Sequence, residues 1–161
     1  MQVTYCELWS GQLRAPVGQM SEEAARRLDS RGKPYNVVIG DPSAPDAEIQ
    51  VRWKNSYLSV SFIDDAGRAY AKYVFRKADE QQLFLSEVTV WTYPEGARLK
   101  SEAARIENIL FKPDGYSRKR VDDSSSDNIE ISEYKDVSMD SNWEPVPRFG
   151  EWDSVIRYER S

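Results

Sequence analysis

The stretch that decides the fold runs from residue 49 to residue 62 and reads IQVRWKNSYLSVSF. Its first half alternates apolar and polar residues, and its second half repeats the alternation with serine at the polar positions. Alternation with a period of two predicts a strand with one buried and one solvent-facing side. Asn55-Ser56 stands between the halves and favours a tight turn, so the stretch predicts an antiparallel hairpin. Trp53 and Phe62 are expected on its buried side.

The same pattern repeats on both sides of this hairpin. Segments rich in β-branched and aromatic residues cover 35–39, 70–75, 83–93, 106–111 and 129–131, and turn signals separate them. Because each turn joins neighbours along the chain, we expect a curved antiparallel β-meander of about seven to nine strands. Closure of the meander into a barrel stays open at this point.

One short helix is predicted near the N-terminus. Ser21 is a favourable N-cap residue, two glutamates follow it, and two arginines come later in the segment, where they suit the helix dipole. Gly32 and Pro34 then end helical structure. We therefore expect a helix over Glu22–Ser30 and, together with the meander, an α+β fold.

Residues 101–107, which read SEAARIE, fit two interpretations. The residue types favour a helix. The position favours a strand, because the Pro113-Asp114-Gly115 turn needs a strand on each side. We favour the strand and keep the helix as the alternative.

Size and composition predict one ordinary domain over residues 1–161, since 40% of the chain is apolar and 12% aromatic. The net charge of −5 disfavours nucleic acid and anionic membranes as partners. Cys6 is the only cysteine, which excludes an intramolecular disulfide and favours a reducing compartment. The N-terminal residues do not resemble a signal peptide and no apolar run reaches roughly eighteen residues, so we expect a cytoplasmic protein.

The chain contains no histidine, and this limits its chemistry more than any other feature. The common general base near neutral pH and the most common transition-metal ligand are both missing. No Gly-rich phosphate-binding motif occurs among the eight glycines. We therefore predict no cofactor, no metal site and no catalytic residues, and hence a protein that is not an enzyme.

Carboxylate chemistry is the remaining catalytic alternative. The pairs Asp64-Asp65 and Asp122-Asp123 both lie at predicted turn tips, where solvent keeps carboxyl pKa values ordinary. Residues 122–133 have oxygen ligands spaced as in a calcium loop, but Asp127 occupies the sixth position, which requires glycine. A carboxylate-based enzyme is therefore a lesser alternative.

An acidic hairpin over residues 122–136 is the predicted docking site for a basic protein partner, because its charges would steer association. The Pro-rich and aromatic tail over 142–161 is expected to pack on the sheet and to supply an anchor near the hairpin. The predicted protein-binding residues are Asp122, Asp123, Asp127, Glu130, Glu133, Asp136, Trp143 and Trp152.

Several short motifs resemble the immunity proteins of bacterial polymorphic-toxin systems. They are Tyr73-Val74-Phe75, Leu83-Phe84-Leu85, Phe111-Lys112-Pro113-Asp114-Gly115, and Pro147-Arg148-Phe149-Gly150-Glu151-Trp152 followed by Ile156-Arg157. The similarity spans residues 21–160. It implies a cytoplasmic protein that binds and occludes a cognate toxin domain with a basic surface.

A second interpretation of the strands is a small-molecule carrier. Six aromatic residues in the strands would line an apolar cavity if the meander closed into a barrel. They are Trp53, Tyr70, Tyr73, Phe75, Trp91 and Tyr93.

Overall fold

The computed structural model describes residues 1–160 and has a large antiparallel sheet as its main element. Ten strands form this main sheet, and a separate pair forms a small second sheet. The bounds in the main sheet are β1 (Val3–Cys6), β4 (Tyr35–Asp41), β5 (Ala44–Arg52), β6 (Tyr57–Ile63), β7 (Ala69–Lys77), β8 (Gln82–Thr92), β9 (Arg105–Phe111), β10 (Ser117–Asp123), β11 (Glu130–Tyr134) and β12 (Trp143–Pro145). The small sheet consists of β2 (Leu8–Ser10) and β3 (Ala15–Val17).

From β4 to β11 every strand pairs with the next one along the chain, which confirms the predicted meander. β1 pairs with β4 at one end of this order, and β11 stands at the other, so the sheet is open. β12 pairs with β8 outside this order. Register shifts between Ile39 and Gly40, Phe62 and Ile63, and Val74 and Phe75 mark irregularities in the ladder.

Within residues 1–160 there is one α-helix, α1, and it spans Glu22–Ser30 as predicted. The Ser21 hydroxyl oxygen accepts a hydrogen bond from the Ala24 backbone N–H at 3.1 Å and caps the first turn. The remaining short helical turns are of the 3-10 type, at Trp53–Asn55, Lys100–Glu102 and Asp140–Asn142.

One face of the main sheet carries the core and is called the covered face here. Along β4, β5 and β6 the residues of the main core cluster fall on alternate positions, and Phe62 is among them, 5% exposed. Ala25 of α1 and Trp152 and Val155 of the tail belong to the same core cluster. The helix and the tail therefore form the layer that shields this face from water.

The opposite side is called the open face here, and the β2–β3 hairpin covers one corner of it. Trp9 of that hairpin packs with Cys6, Val38 and Ile63 in a second, smaller cluster. The Glu48 carboxylate accepts from the Trp9 backbone N–H at 2.7 Å, which fixes the hairpin on the sheet. Farther along β5, the open face is polar.

Asp29 joins the helix to the sheet. Its Oδ1 accepts a hydrogen bond from the Tyr35 hydroxyl and another from the Trp53 indole N–H, both at 2.8 Å. Trp53 is only partly buried, because it lies in the 3-10 turn after β5 and not in a strand. The predicted strand thus ends one residue before Trp53.

Residues 101–107 combine a helical turn and a strand. The 3-10 turn Lys100–Glu102 comes first, and β9 begins at Arg105. β9 pairs with β8 on one side and β10 on the other, and these two ladders outweigh the helical propensity of the segment.

Candidate protein-binding surface

The three strands β9, β10 and β11 extend the sheet beyond its core and are called the wing here. β8 has eleven residues, of which 82–84 pair with β12 and 87–92 with β9. Every residue of β9 keeps part of its surface in solvent, and every residue of β11 is exposed. Because side chains alternate between the faces, solvent reaches both faces of the wing.

Of the predicted acids, Asp123 has a structural role. Its Oδ1 accepts from the Ser125 backbone N–H at 2.9 Å and from the Ser125 hydroxyl at 2.7 Å. These bonds lower the pKa of the carboxyl, and the Arg105 guanidinium, 3.7 Å away, lowers it further. Asp123 therefore shapes the tip of the hairpin.

The other predicted acids lie on the surface of the hairpin. Asp122, Asp127, Glu130, Glu133 and Asp136 are all exposed. Glu133 accepts a hydrogen bond from the Tyr116 hydroxyl at 3.1 Å. The exposed acids thus follow the loop and the outer strand of the wing.

The wing also carries bases that sequence reasoning missed. Arg118 lies opposite Glu133, Lys119 opposite Ser132 and Arg120 opposite Ile131 in the β10–β11 ladder. The acidic segment was predicted to begin at residue 122, just beyond these bases, so the prediction left their positive charges out. The serines at 124–126 were the signal in the sequence that could have revealed these bases. A hairpin turn at these serines places residues 117–121 beside residues 130–134. The wing as a whole has mixed charge, and its outer strand is the acidic part.

The two predicted tryptophan anchors lie on different faces of the sheet. Trp152 is 1% exposed and belongs to the core of the covered face, so it has no surface to offer a partner. Trp143 is partly buried and packs on Phe84, with ring centroids 4.9 Å apart. Phe84 pairs with Arg76 on the open face, at the end of β8 that the wing does not reach. The fold does not bring either indole to the acidic hairpin.

Four exposed large apolar side chains lie in and beside β11. Ile131 is 59% exposed and Tyr134 50%, and Ile129 and Val137 flank them with 46% and 39%. The alternation of 129–131 predicted a strand, which is present, but nothing in the pattern shows that this strand is the outermost one. Exposed large apolar residues at a strand edge are typical of a protein interface.

A polar cluster lies on the open face where β8 meets β9. The Asn108 side-chain amide donates to the Glu87 carboxylate at 2.7 Å and to the Thr89 hydroxyl at 3.0 Å. Among the described residues, no group of three or more His, Cys, Asp or Glu side chains is placed to hold a metal ion. The cluster provides hydrogen bonding on a partly exposed surface.

A barrel-type carrier would bind its ligand inside a closed barrel. The sheet is open, so it does not enclose such an interior. Two depressions of about 400 and 410 Å³ both lie at the surface. The first is lined by side chains of α1, and the second by N-terminal residues, Glu22 and Gly150. In the part of the chain that the structure describes, no helix is both long and apolar enough to cross a membrane.

Comparison of the chain with protein-family models, with curated proteins and with solved structures finds no match in any of the three. The resemblance to immunity proteins therefore rests on the sequence motifs alone.

Proposed function

We propose that this protein is a non-catalytic binding domain that docks a protein partner on the wing. The observation that carries the proposal is a three-stranded extension whose outer strand is exposed along its whole length. This strand exposes Ile131 and Tyr134, although the rest of the sheet buries most of its large apolar residues. A partner would remove this apolar surface from water.

The wing combines the two contributions that protein interfaces use. Burial of a large apolar side chain contributes about 1.5–3 kcal/mol, so Ile131 and Tyr134 can anchor a partner. The acids of β11 and of the loop before it attract a basic surface over a longer range and raise its association rate. Affinity therefore comes mainly from the apolar residues and orientation from the acids.

The state of Cys6 supports a binding role over a catalytic one. Its side chain is fully buried, and desolvation, followed by the nearby Glu48 and Glu7 carboxylates, raises the pKa of the thiol to about 11. A thiol with such a pKa is protonated at neutral pH and is a poor nucleophile.

The partner that we propose is a toxin domain with a basic surface, which this protein binds and occludes in the cytoplasm. The resemblance to bacterial immunity proteins and the acidic outer strand support this identity. Occlusion of an active site requires only a tight complex, which agrees with the lack of histidine.

The test compares Ile131→Lys with Leu13→Lys as a matched control, since Leu13 is 69% exposed in the turn between β2 and β3. Each tagged variant captures partners from the native host. We expect a stoichiometric partner with the wild type and Leu13→Lys, and its loss with Ile131→Lys. Equal capture by both variants would exclude the wing as the docking site.

A second experiment tests the identity of the partner. The captured protein should arrest growth when it is expressed alone, and co-expression of the wild type should restore growth. Co-expression of Ile131→Lys should not. A harmless partner would rule out toxin neutralisation while leaving the binding role intact.

A further inference from the structure

β11 forms the free edge of the main sheet. It has five residues, pairs only with β10, and contains no proline. An edge strand carries a row of backbone N–H and C=O groups without strand partners, and native proteins usually shield such edges. The exposed Ile131 lies in the middle of this edge.

The hydrogen bonds around β10 identify which backbone groups of β11 face outward. Ser124 N–H donates to the Ala104 carbonyl at 2.8 Å and Lys112 N–H to the Tyr116 carbonyl at 2.9 Å, so even-numbered residues of β10 bond to β9. Odd-numbered residues of β10 therefore bond to β11. The odd-numbered Gly115, just before β10, agrees with this assignment, because its carbonyl accepts from the Val137 N–H, beyond β11, at 3.0 Å.

The β10–β11 register then assigns every residue of β11. Glu130, Ser132 and Tyr134 lie opposite odd-numbered residues of β10, so their backbone groups bond inward. The N–H and C=O groups of Ile131 and Glu133 point away from the sheet. The Glu133 side chain lies on the open-face side, because its ladder runs through Arg118 and Leu110 to Glu87. Ile131, two residues away in the same strand, lies on the same side.

We propose that the partner contributes a β-strand with basic side chains, which pairs with β11 through the backbone groups of Ile131 and Glu133. This inference rests on the proposed binding function and specifies its geometry. Backbone pairing supplies the bonds that the edge lacks, and apolar side chains of the added strand would cover Ile131. Lysine or arginine side chains on the other side of the added strand would lie beside Glu130 and match its charge.

Charge favours a different protein over a second copy of this chain. Residues 122–136 contain six acids and one base, Lys135. Antiparallel pairing of two copies through β11 would bring these acidic segments together, and their repulsion opposes dimerisation. A basic strand from another protein meets no such repulsion.

The probes are two blocked ten-residue peptides of alternating valine and charged residues, one with lysine and one with glutamate. Amide hydrogen exchange of β11, measured by NMR on the whole protein, reports backbone pairing directly. The amides of Ile131 and Glu133 should exchange fast in the free protein and at least tenfold more slowly with the lysine peptide. The amides of Ser132 and Tyr134 should be protected in both states.

Ile131→Pro removes one outward N–H and no bond to β10, so it should abolish binding of the lysine peptide while the fold persists. Ile131→Ala is the matched control, because it also loses the isoleucine side chain but keeps the N–H, and it should bind the lysine peptide at least tenfold more tightly than Ile131→Pro. The glutamate peptide should bind at least tenfold more weakly than the lysine peptide. Equal binding of the two peptides, or binding that leaves the Ile131 and Glu133 amides unprotected, would overturn the proposal.

Two further outcomes separate this inference from the proposed function. If Ile131→Pro still captures the cellular partner that Ile131→Lys loses, the partner binds the side chains of the wing and strand addition is wrong. A concentration-dependent dimer of the wild type that Ile131→Pro abolishes, detected by sedimentation, would show that a second copy occupies the edge. Both results leave the general binding role standing.

Discussion

The indole Nε1 of Trp152 lies 3.4 Å from the hydroxyl oxygen of Tyr5, so the core joins two residues that are 147 positions apart. The Phe149 ring stacks on Tyr5 with centroids 5.2 Å apart and meets Trp152 edge-on at 6.0 Å. The tail thus forms part of the core. Burial of Tyr5 raises the pKa of its phenol above the ordinary value, and the hydrogen bond with Trp152 partly offsets this.

Replacing Trp152 with alanine should lower the free energy of unfolding by about 3–5 kcal/mol, because a fully buried aromatic side chain is lost and a cavity remains. Urea denaturation followed by tryptophan fluorescence measures the change. Trp143→Ala is the control, and its smaller cost should reflect partial exposure. Equal losses for the two variants would contradict the core position of Trp152.

Replacing Asp29 with alanine should cost about 1–3 kcal/mol for each donor left without a partner, since Tyr35 is 1% exposed and cannot turn to water. Asp29→Asn keeps an acceptor oxygen and should retain most of the stability. Thermal unfolding of the three proteins is the measurement. An alanine variant as stable as the wild type would mean that the helix is held by packing alone.

Proline substitutions along β11 should differ by position. Ser132→Pro removes a backbone bond to β10 and should disorder the outer hairpin, whereas Ile131→Pro and Glu133→Pro should be tolerated. Amide exchange of Lys119 and Val121 reports this, because their backbone groups face β11. Uniform loss of protection with all three prolines would show that the inferred alternation is wrong.

Stability should fall at alkaline pH through Cys6. The folded thiol has its pKa raised to about 11, from 9.0, so unfolding releases a proton at any pH between these values. The stabilisation is complete below about pH 9 and should be lost by about pH 11, a change of roughly 2–3 kcal/mol. Cys6→Ala should flatten this part of the profile, measured by urea denaturation from pH 8 to 11. Parallel profiles would contradict the prediction.

Changing Asp122 and Asp127 to asparagine should slow association with the partner and weaken its dependence on salt, with little effect on folding. Asp123 is left unchanged, because it shapes the hairpin tip. Stopped-flow mixing at low and moderate ionic strength gives the rates. An unaltered rate would place the interface away from the loop.

Local patterns predicted most of the fold, because hairpins and caps depend on residues close in sequence. The helix from Glu22 to Ser30 and the burial of Phe62 were both predicted from such patterns. Trp53 was less well predicted, since the strand gives way to a 3-10 turn that side-chain alternation does not reveal.

The candidate site depended on relations that a linear pattern does not contain. The alternation at 129–131 predicts a strand but not its place at the sheet edge, which arises because the next strand, β12, pairs with β8 and not with β11. The acidic segment was predicted from the order of charges along the chain. In the folded hairpin the base Arg118 lies opposite Glu133, so the surface has mixed charge.

The division of β8 between β12 and β9 has a consequence for the order of folding. The wing pairs with residues of β8 through strands that follow one another along the chain, so its contacts are local in sequence. The core of the covered face is complete only when Trp152 and Val155 pack against it, and Trp152 contacts Tyr5 near the beginning of the chain. Closure of such distant contacts is slow, so during refolding we expect the hairpins of the wing to pair before Trp152 and Val155 seal the covered face.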